Sequence, residues 1–124
     1  MNSTQINQQN WKWQLRNQIR SVEHLEMLFP LLPEEKQAII ELNDRFRLGI
    51  TPYYLNLMDP KDPSCPIRRQ AIPVLAEKNI GLQEREDPLA EERDMPVIGV
   101  TQRYPNRALL YLTHTCAVYC RHCT

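Results

Sequence analysis

The first half of the chain carries apolar residues at helical spacing. Trp11, Leu15 and Ile19 stand four residues apart, a repeat that predicts the buried face of an amphipathic helix. Ser21 follows as a residue type that caps helices, because its hydroxyl accepts a hydrogen bond from a first-turn N–H group. A second short helix is therefore expected after Ser21, with two leucines turned inward, Leu25 and Leu28.

Prolines mark two further helix starts. Pro33 suits a first helical turn, and the two glutamates directly behind it suit the positive end of the helix dipole. This helix is expected to run through Phe46 and to be closed by Gly49. Thr51 followed by Pro52 then forms a cap that opens another helix. The first half of the chain is thus predicted to be helical.

The second half has a different pattern. Eight of the ten prolines lie between Pro52 and Pro105, so long regular elements are not expected there. Short helices are predicted from about Asp62 to Ile72, and the charged stretch 84–96 is predicted to be a loop. Within 108–113, four apolar residues in succession predict a strand that is buried on both faces in a parallel sheet.

Charge and composition exclude several classes of partner. Fifteen basic and fifteen acidic residues give a formal net charge of zero, so nothing favours binding to nucleic acid or to an anionic membrane. No apolar run approaches the roughly 20 residues of a membrane span. A hydrophobic content of 42% suits a packed domain. The first residues also lack an apolar targeting segment, so the cytoplasm is the expected compartment.

Three of the four cysteines lie within eight residues at C-x3-C-x2-C spacing: Cys116, Cys120 and Cys123. Thiolates this close in sequence can converge on one inorganic centre, and three of them leave part of that centre open for chemistry. The pattern fits a [4Fe-4S] cluster best. Structural zinc is an alternative, with His114 or His122 as the fourth ligand. Disulfides fit worse, because three clustered cysteines leave one unpaired.

The run CAVYCRHC, from Cys116 to Cys123, resembles the cluster motif of the radical S-adenosylmethionine (SAM) enzymes. Three upstream segments narrow the resemblance to the lysine 2,3-aminomutase family: ITPYYL at 50–55, CPIRRQAIP at 65–73 and RYPNR at 103–107. They stand in the same order as in the family, and the similarity extends over nearly all of the chain from Trp11 onward.

The resemblance implies a chemistry divided between two cofactors. In the family, three cysteines hold a [4Fe-4S] cluster that binds SAM, and an electron from a reductant cleaves SAM to give a 5′-deoxyadenosyl radical. That radical abstracts a hydrogen from an amino-acid substrate bound to pyridoxal 5′-phosphate (PLP), and the amino group migrates from the α- to the β-carbon. The implied enzyme is an isomerase, with L-lysine as the expected substrate and β-lysine as the product.

The resemblance also suggests a second group of site residues. Arg103, Tyr104 and Arg107 match a family segment near PLP, and guanidinium groups suit its phosphate because they make bidentate, charge-assisted hydrogen bonds. An ordinary surface loop, with a salt bridge to the acidic stretch before it, is the alternative interpretation. The lysine that binds PLP and the strands that bind SAM are expected beyond Thr124.

These expectations combine into an α/β organisation. Residues 1–10 are expected to be a disordered tail, 11–58 a helical N-terminal region, and 59–107 a proline-rich irregular segment with short helices. Residues 108–124 would supply the first strand and the cluster loop of a truncated radical SAM (β/α) barrel. The chain is therefore expected to be the N-terminal part of a longer enzyme and to be inactive by itself.

Other functions are compatible with the same sequence. The resemblance also admits a glutamate 2,3-aminomutase and the family branch that modifies a lysine destined for elongation factor P. A zinc-binding interaction module is an alternative of another class. A third is an assembly segment, because the N-terminal helices of the aminomutases contribute to homo-oligomer contacts.

Overall fold

A computed structural model describes residues 10–79, 81–83, 85 and 87–123 of the chain. Its described residues divide into two compact units. The first unit takes its residues from Met1–Asn79 and from Cys116–Cys123, and the second takes them from Ile80–Thr115. The cysteine segment therefore belongs to the same unit as the helices, although 36 residues of the other unit separate them along the chain.

Helix α1, Trp11–Arg16, is shorter than the repeat of apolar residues predicts. Asn10 caps its start by accepting a hydrogen bond from the Trp13 N–H group at 3.1 Å, and Asn17 ends it. The prediction that Ile19 continues the helical face is wrong. Ile19 is extended and exchanges two backbone hydrogen bonds with Ile50, of 2.8 and 3.0 Å, in an antiparallel bridge. The predicted disordered tail lies outside the described residues except for Asn10.

Helix α2, Val22–Leu28, begins where its predicted cap stands. The Ser21 hydroxyl accepts a hydrogen bond from the His24 N–H group at 3.3 Å, which confirms the cap. Leu25 is fully buried, as expected, but Leu28 is 55% exposed and the prediction that it turns inward is wrong. The helix ends at Leu28 itself, so this side chain stands at the rim of the core.

Helix α3, Pro33–Glu41, confirms the proline start and corrects the predicted end. The Glu35 carboxylate reaches back to accept from the Leu32 N–H group at 2.8 Å, which satisfies one of the unpaired donors of the first turn. Beyond Glu41 the chain turns, and the Leu42 carbonyl accepts from both the Arg45 and the Phe46 N–H groups. The helix therefore neither runs through Phe46 nor uses Gly49 as its cap.

Two short helices and a 3-10 turn complete the first unit. Helix α4 spans Pro52–Leu55, and the Thr51 hydroxyl accepts from the Tyr54 N–H group at 3.4 Å, as the cap prediction requires. Helix α5 spans Pro66–Ala71 and a 3-10 helix spans Leu75–Lys78. The helical stretch predicted from about Asp62 thus begins only at Pro66, because Asp62 closes a turn onto Ser64 instead.

The helices of the first unit enclose an apolar core that contains a buried ion pair. Arg68 is 1% exposed and makes two bonds to the Glu35 carboxylate, at 2.8 and 2.6 Å. Its guanidinium also donates to the carbonyls of Pro30 and Pro60 and lies 4.8 Å from the centre of the Phe29 ring. Since these partners satisfy most of its donors, the charge is compatible with burial. The core cluster comprises Ile19, Leu25, Phe29, Ile39, Ile50, Leu55, Met58, Ala71 and Ile72.

The second unit contains an antiparallel hairpin in place of the predicted buried strand. Strand β1, Val100–Tyr104, pairs with β2, Arg107–Leu110, in the register Val100 to Leu110 and Tyr104 to Arg107. The predicted parallel, doubly covered strand is therefore wrong. Leu110 is 61% exposed and Leu112 is 86% exposed, because the described residues place no layer over this apolar run.

The described residues thus form a mixed α/β structure of five α-helices and one two-stranded antiparallel sheet. They do not include a (β/α) barrel. In the part of the chain that the structure describes, no helix is both long and apolar enough to cross a membrane.

Candidate metal centre

The three clustered cysteines lie on a loop of the first unit. Cys116 and Cys123 are exposed and Cys120 is half-buried, and none of them forms a disulfide. The fourth cysteine, Cys65, is buried just before α5 and accepts a hydrogen bond from the Asp59 N–H group at 3.4 Å. Cys65 is thus a buried thiol that stands apart from the cluster motif in the sequence.

Residues between the cysteines attach this loop to the helical unit. Val118 forms an antiparallel bridge with Ile50, which is itself bridged to Ile19. The next residue, Tyr119, donates its N–H group to the Gly49 carbonyl at 3.0 Å. Three segments that are distant in sequence therefore share one short ladder, and the cysteine loop is its outer member.

Gly49 permits this close approach because it has no side chain. A Cβ atom built at this position would overlap the ring of Tyr119 and would lie 2.8 Å from Nε2 of Gln18. Both contacts would be closer than non-bonded atoms allow. A residue with a side chain at position 49 would therefore displace the loop. Gly49 was expected to close a helix, and its role is instead to admit the loop.

The side chain of Gln18 holds the first turn of the loop. Its Nε2 group donates to the carbonyl of Cys116 at 2.9 Å and to that of Ala117 at 3.0 Å. Gln18 is only 7% exposed, so both bonds are shielded from competing water. These two bonds therefore restrain the carbonyl groups of Cys116 and Ala117.

Arg121 provides a third attachment between Cys120 and Cys123. Its N–H group donates to the Gln70 carbonyl at 2.7 Å, and its guanidinium lies 4.0 Å from the centre of the Phe46 ring and pairs with Glu77. The side chain is 9% exposed, and burial lowers the pKa of its guanidinium. Val118, Tyr119 and Arg121 thus contact the helical unit, while Cys116 and Cys123 are exposed residues.

Burial and the charges of the other two loop cysteines act on the Cys120 thiol. Burial raises the pKa of the Cys120 thiol, and the charges of Cys123 and Cys116 raise it further. The pKa of Tyr54 is also raised, first by burial and then by the charges of Cys120 and Cys65. Since like charges disfavour each other, a bound cation would remove this repulsion and favour the thiolate forms.

The donor set fits a metal cluster in number and chemistry. Iron–sulfur clusters are held by cysteine thiolates, and this one loop carries three cysteines. Among the described residues, no three His, Cys, Asp or Glu side chains are already arranged to hold a metal ion, so neither a cluster geometry nor a zinc geometry is present. Of the two histidines considered for zinc, His122 is exposed and His114 belongs to the second unit, where it stacks on Tyr111 at 5.5 Å.

The arginines considered for PLP belong to the hairpin of the second unit. Arg103, Tyr104 and Arg107 line a cavity of about 280 Å³, together with Glu91 and Thr101. The Thr101 hydroxyl is buried without a hydrogen-bond partner among the described residues, and Arg107 lies 4.2 Å from the centre of the Tyr104 ring. Two guanidinium groups and a hydroxyl suit a phosphate in chemistry, whereas the Glu91 carboxylate opposes an anion.

Arg103 also has a partner of its own. Its Nε atom lies 3.1 Å from Oδ2 of Asp94, which is the salt bridge to the acidic stretch that the alternative interpretation anticipated. Arg93, and after it Arg103, holds the pKa of Asp94 below its usual value. The hairpin is thus compatible with either role.

Comparison with known proteins identifies relatives over nearly the whole chain. The chain is 50% identical over 115 residues to L-lysine 2,3-aminomutase of Clostridium subterminale and 41% identical over 115 residues to that of Bacillus subtilis (strain 168). Each alignment covers 93% of this chain. Glutamate 2,3-aminomutase of Clostridioides difficile (strain 630) is 42% identical over 123 residues, or 99% of the chain.

The chain is thus similar over nearly its whole length to L-lysine 2,3-aminomutases. The chain spans only 28%, 24% and 29% of the lengths of these three curated relatives, respectively. A scan against protein-family models gave no match.

The sequence predicted the three cysteines as metal ligands, but it did not predict the residues that contact their loop. Gln18 and Phe46 fell inside predicted helices, and Glu77 carried no signal at all. Gly49 was predicted to close a helix, whereas its role in the structure is to admit the loop. The one available hint was the ITPYYL motif, since it begins with the ladder residue Ile50 directly after Gly49. Contacts across about 98 residues have no local pattern from which they could be predicted.

Proposed function

We propose that this segment is part of a radical SAM, PLP-dependent amino-acid 2,3-aminomutase in which Cys116, Cys120 and Cys123 hold a [4Fe-4S] cluster. The observation that carries the proposal is a loop with three cysteines that is attached to the helical unit through Val118, Tyr119, Arg121 and the Cys116 carbonyl. The loop therefore presents three thiols from one folded unit. Three thiolates also leave one iron of the cluster for SAM.

The chain's own residues would hold and shield the cofactor. When bound, the cluster supplies the electron for reductive cleavage of SAM, after it has been reduced by an external reductant. Cys120 would be the innermost ligand, because it is half-buried while the other two cysteines are exposed. The half-buried ring of Tyr54 and the Arg121 side chain on Phe46 border the same loop and would restrict water on that side.

The proposal extends to PLP through the hairpin. Arg103 and Arg107 would contribute positive charge toward the PLP phosphate, with Tyr104 beside them and the unpaired Thr101 hydroxyl as a further donor. For this role Arg103 would divide its hydrogen bonds between the phosphate and Asp94. The PLP lysine and the SAM-binding strands would come from other parts of the enzyme.

The names of the relatives favour L-lysine as the substrate and β-lysine as the product. The relative named for lysine is 50% identical to the chain and the one named for glutamate is 42% identical, so glutamate is the second candidate substrate. The remaining parts of the proposal are a (β/α) barrel, a homo-oligomer and a cytoplasmic setting. A cytoplasmic setting would keep cysteine thiols reduced.

Anaerobic reconstitution of the chain with ferrous iron and sulfide tests the cluster assignment. We expect about four irons and four sulfides per chain and a brown chromophore, as for a single cubic cluster. Cys120→Ala should lose most of this iron, whereas Cys65→Ala is the matched control and should retain it. Equal loading of the two variants would contradict the assignment, and tight zinc without a chromophore would favour the interaction module.

A further inference from the structure

Gln18 makes a contact that core packing does not require. Its Nε2 group donates two hydrogen bonds, and both go to backbone carbonyls of the cysteine loop. At 7% exposure it is among the few polar side chains buried in the described residues. A buried amide in such a place is stable only because its hydrogen bonds are made.

The orientation of this amide is determined by its neighbours. Oε1 of Gln18 accepts from Nε of Arg20 at 3.0 Å, and an arginine can only donate. The Cys116 and Ala117 carbonyls can only accept, so they must face the NH2 end. In a flipped amide, the NH2 group would face the Arg20 donor and Oε1 would face the two carbonyls, so neither end could form its hydrogen bonds. The amide therefore has one orientation in which all of these bonds are made.

We propose that Gln18 is a positioning residue for the metal centre, acting through the backbone of Cys116 and Ala117. The inference rests on the proposed function for the identity of the metal. Two donor bonds to successive carbonyls fix the peptide plane that follows Cys116, and with it the direction of the Cys116 side chain. Hydrogen bonds from residues that do not bind the metal themselves orient the metal ligands and alter the properties of the metal centre.

Two substitutions separate hydrogen bonding from charge. Gln18→Glu keeps the shape and loses both donors, and Gln18→Met keeps the length without any polar group or charge. Gln37 is the matched control, because it is an exposed glutamine whose Nε2 donates to Glu41, one turn along α3. Gln37→Glu and Gln37→Met repeat the same chemical changes away from the loop. Urea denaturation of all four variants checks that each chain is folded.

Hydrogen exchange in the metal-free chain is the first measurement. We expect the Tyr119 amide, which donates to Gly49, to exchange about tenfold faster or more in both Gln18 variants, because two bonds to the loop are lost. The Arg121 amide, which is anchored separately on Gln70, should change less. Equal Tyr119 exchange in the Gln18 and Gln37 variants would overturn the inference.

Iron binding is the second measurement. Both Gln18 variants should bind reconstituted iron about tenfold more weakly than the Gln37 variants and show an altered EPR spectrum of the reduced cluster. Unchanged affinity and spectrum would again overturn the inference. If neither the parent chain nor any variant binds iron, the proposed function fails instead, and the exchange rates alone decide whether Gln18 positions the loop.

Discussion

The two units of the molecule use apolar residues in opposite ways. Every apolar side chain that is buried among the described residues belongs to the helical unit, including Ile19, Leu25 and Ile50 at 0% exposure. In the hairpin unit, Leu109 and Leu110 are more than half exposed. The first unit therefore contains its own core, whereas the apolar strand of the second is not covered by the described residues. An apolar sequence that is typical of a buried strand can thus form a strand that remains exposed.

The ion pairs show the same contrast. The side chains of Arg68 and Glu35 are 2% and 10% exposed and bind in a bidentate arrangement, whereas those of Arg103 and Asp94 are 41% and 16% exposed and share one bond. Breaking a buried pair leaves an uncompensated charge in the core, while an exposed pair exchanges its partner for water. Both contrasts between the units can be tested, and the largest expected effect comes first.

The largest effect is expected for Arg68→Met. This change leaves the buried Glu35 carboxylate without its partner, so the free energy of unfolding should fall by about 3–5 kcal/mol. Urea denaturation followed by circular dichroism measures it. Arg69→Met, at an exposed position of the same helix, is the control and should cost little.

A double substitution sharpens this test. Arg68→Met combined with Glu35→Met removes both charges and should recover a large part of the lost stability, because an apolar pair can replace a buried ion pair. A double variant that is as unstable as the single one would show that stability depends on the other contacts of the two side chains rather than on the ion pair. These contacts are Pro30, Pro60 and Phe29 for Arg68 and the Leu32 N–H group for Glu35.

The next effect compares one leucine from each unit. Leu25→Ala empties a fully buried site and should cost about 2–5 kcal/mol, whereas Leu110→Ala at 61% exposure should cost less than about 0.5 kcal/mol. The same denaturation experiment measures both changes. A large loss for Leu110→Ala would mean that the hairpin strand is covered in solution, and the contrast between the units would then fail.

The smallest effect concerns pH and the exposed pair. The pKa of Asp94 is lowered by Arg93 and then by Arg103. A carboxyl group whose pKa is lower in the folded state stabilises that state above its unfolded pKa, and the contribution is lost as the pH falls through the folded value. An NMR titration should therefore place the Asp94 midpoint below that of an ordinary aspartate.

Arg103→Gln gives the internal check on this titration. Removing one of the two guanidinium neighbours should move the Asp94 midpoint upward, although not fully, because Arg93 still lies 3.0 Å away. An unchanged midpoint would mean that Arg103 does not pair with Asp94 in solution, which would release it for other partners.

Features that depend on neighbouring residues were predictable from the sequence. The caps at Ser21 and Thr51 and the helix start at Pro33 are confirmed, because each is formed by groups within about one helical turn. The resemblance to the lysine 2,3-aminomutases was also visible in the sequence, because the cysteine motif and the three upstream segments are short local patterns. Helix ends were predicted less well, since a turn at Leu42 competes with further helix and the apolar pattern does not show which is favoured.

Features that depend on distant segments were decided by tertiary contacts. Ile19 left its helical repeat because pairing with Ile50 satisfies its backbone in the core, and the cysteine loop joined that ladder through Val118. The same packing brought Gln18 to the Cys116 carbonyl. Local spacing could name the thiols because their chemistry lies within eight residues. Only chain folding could supply the groups that hold them, because these are brought together by burial and not by order in the sequence.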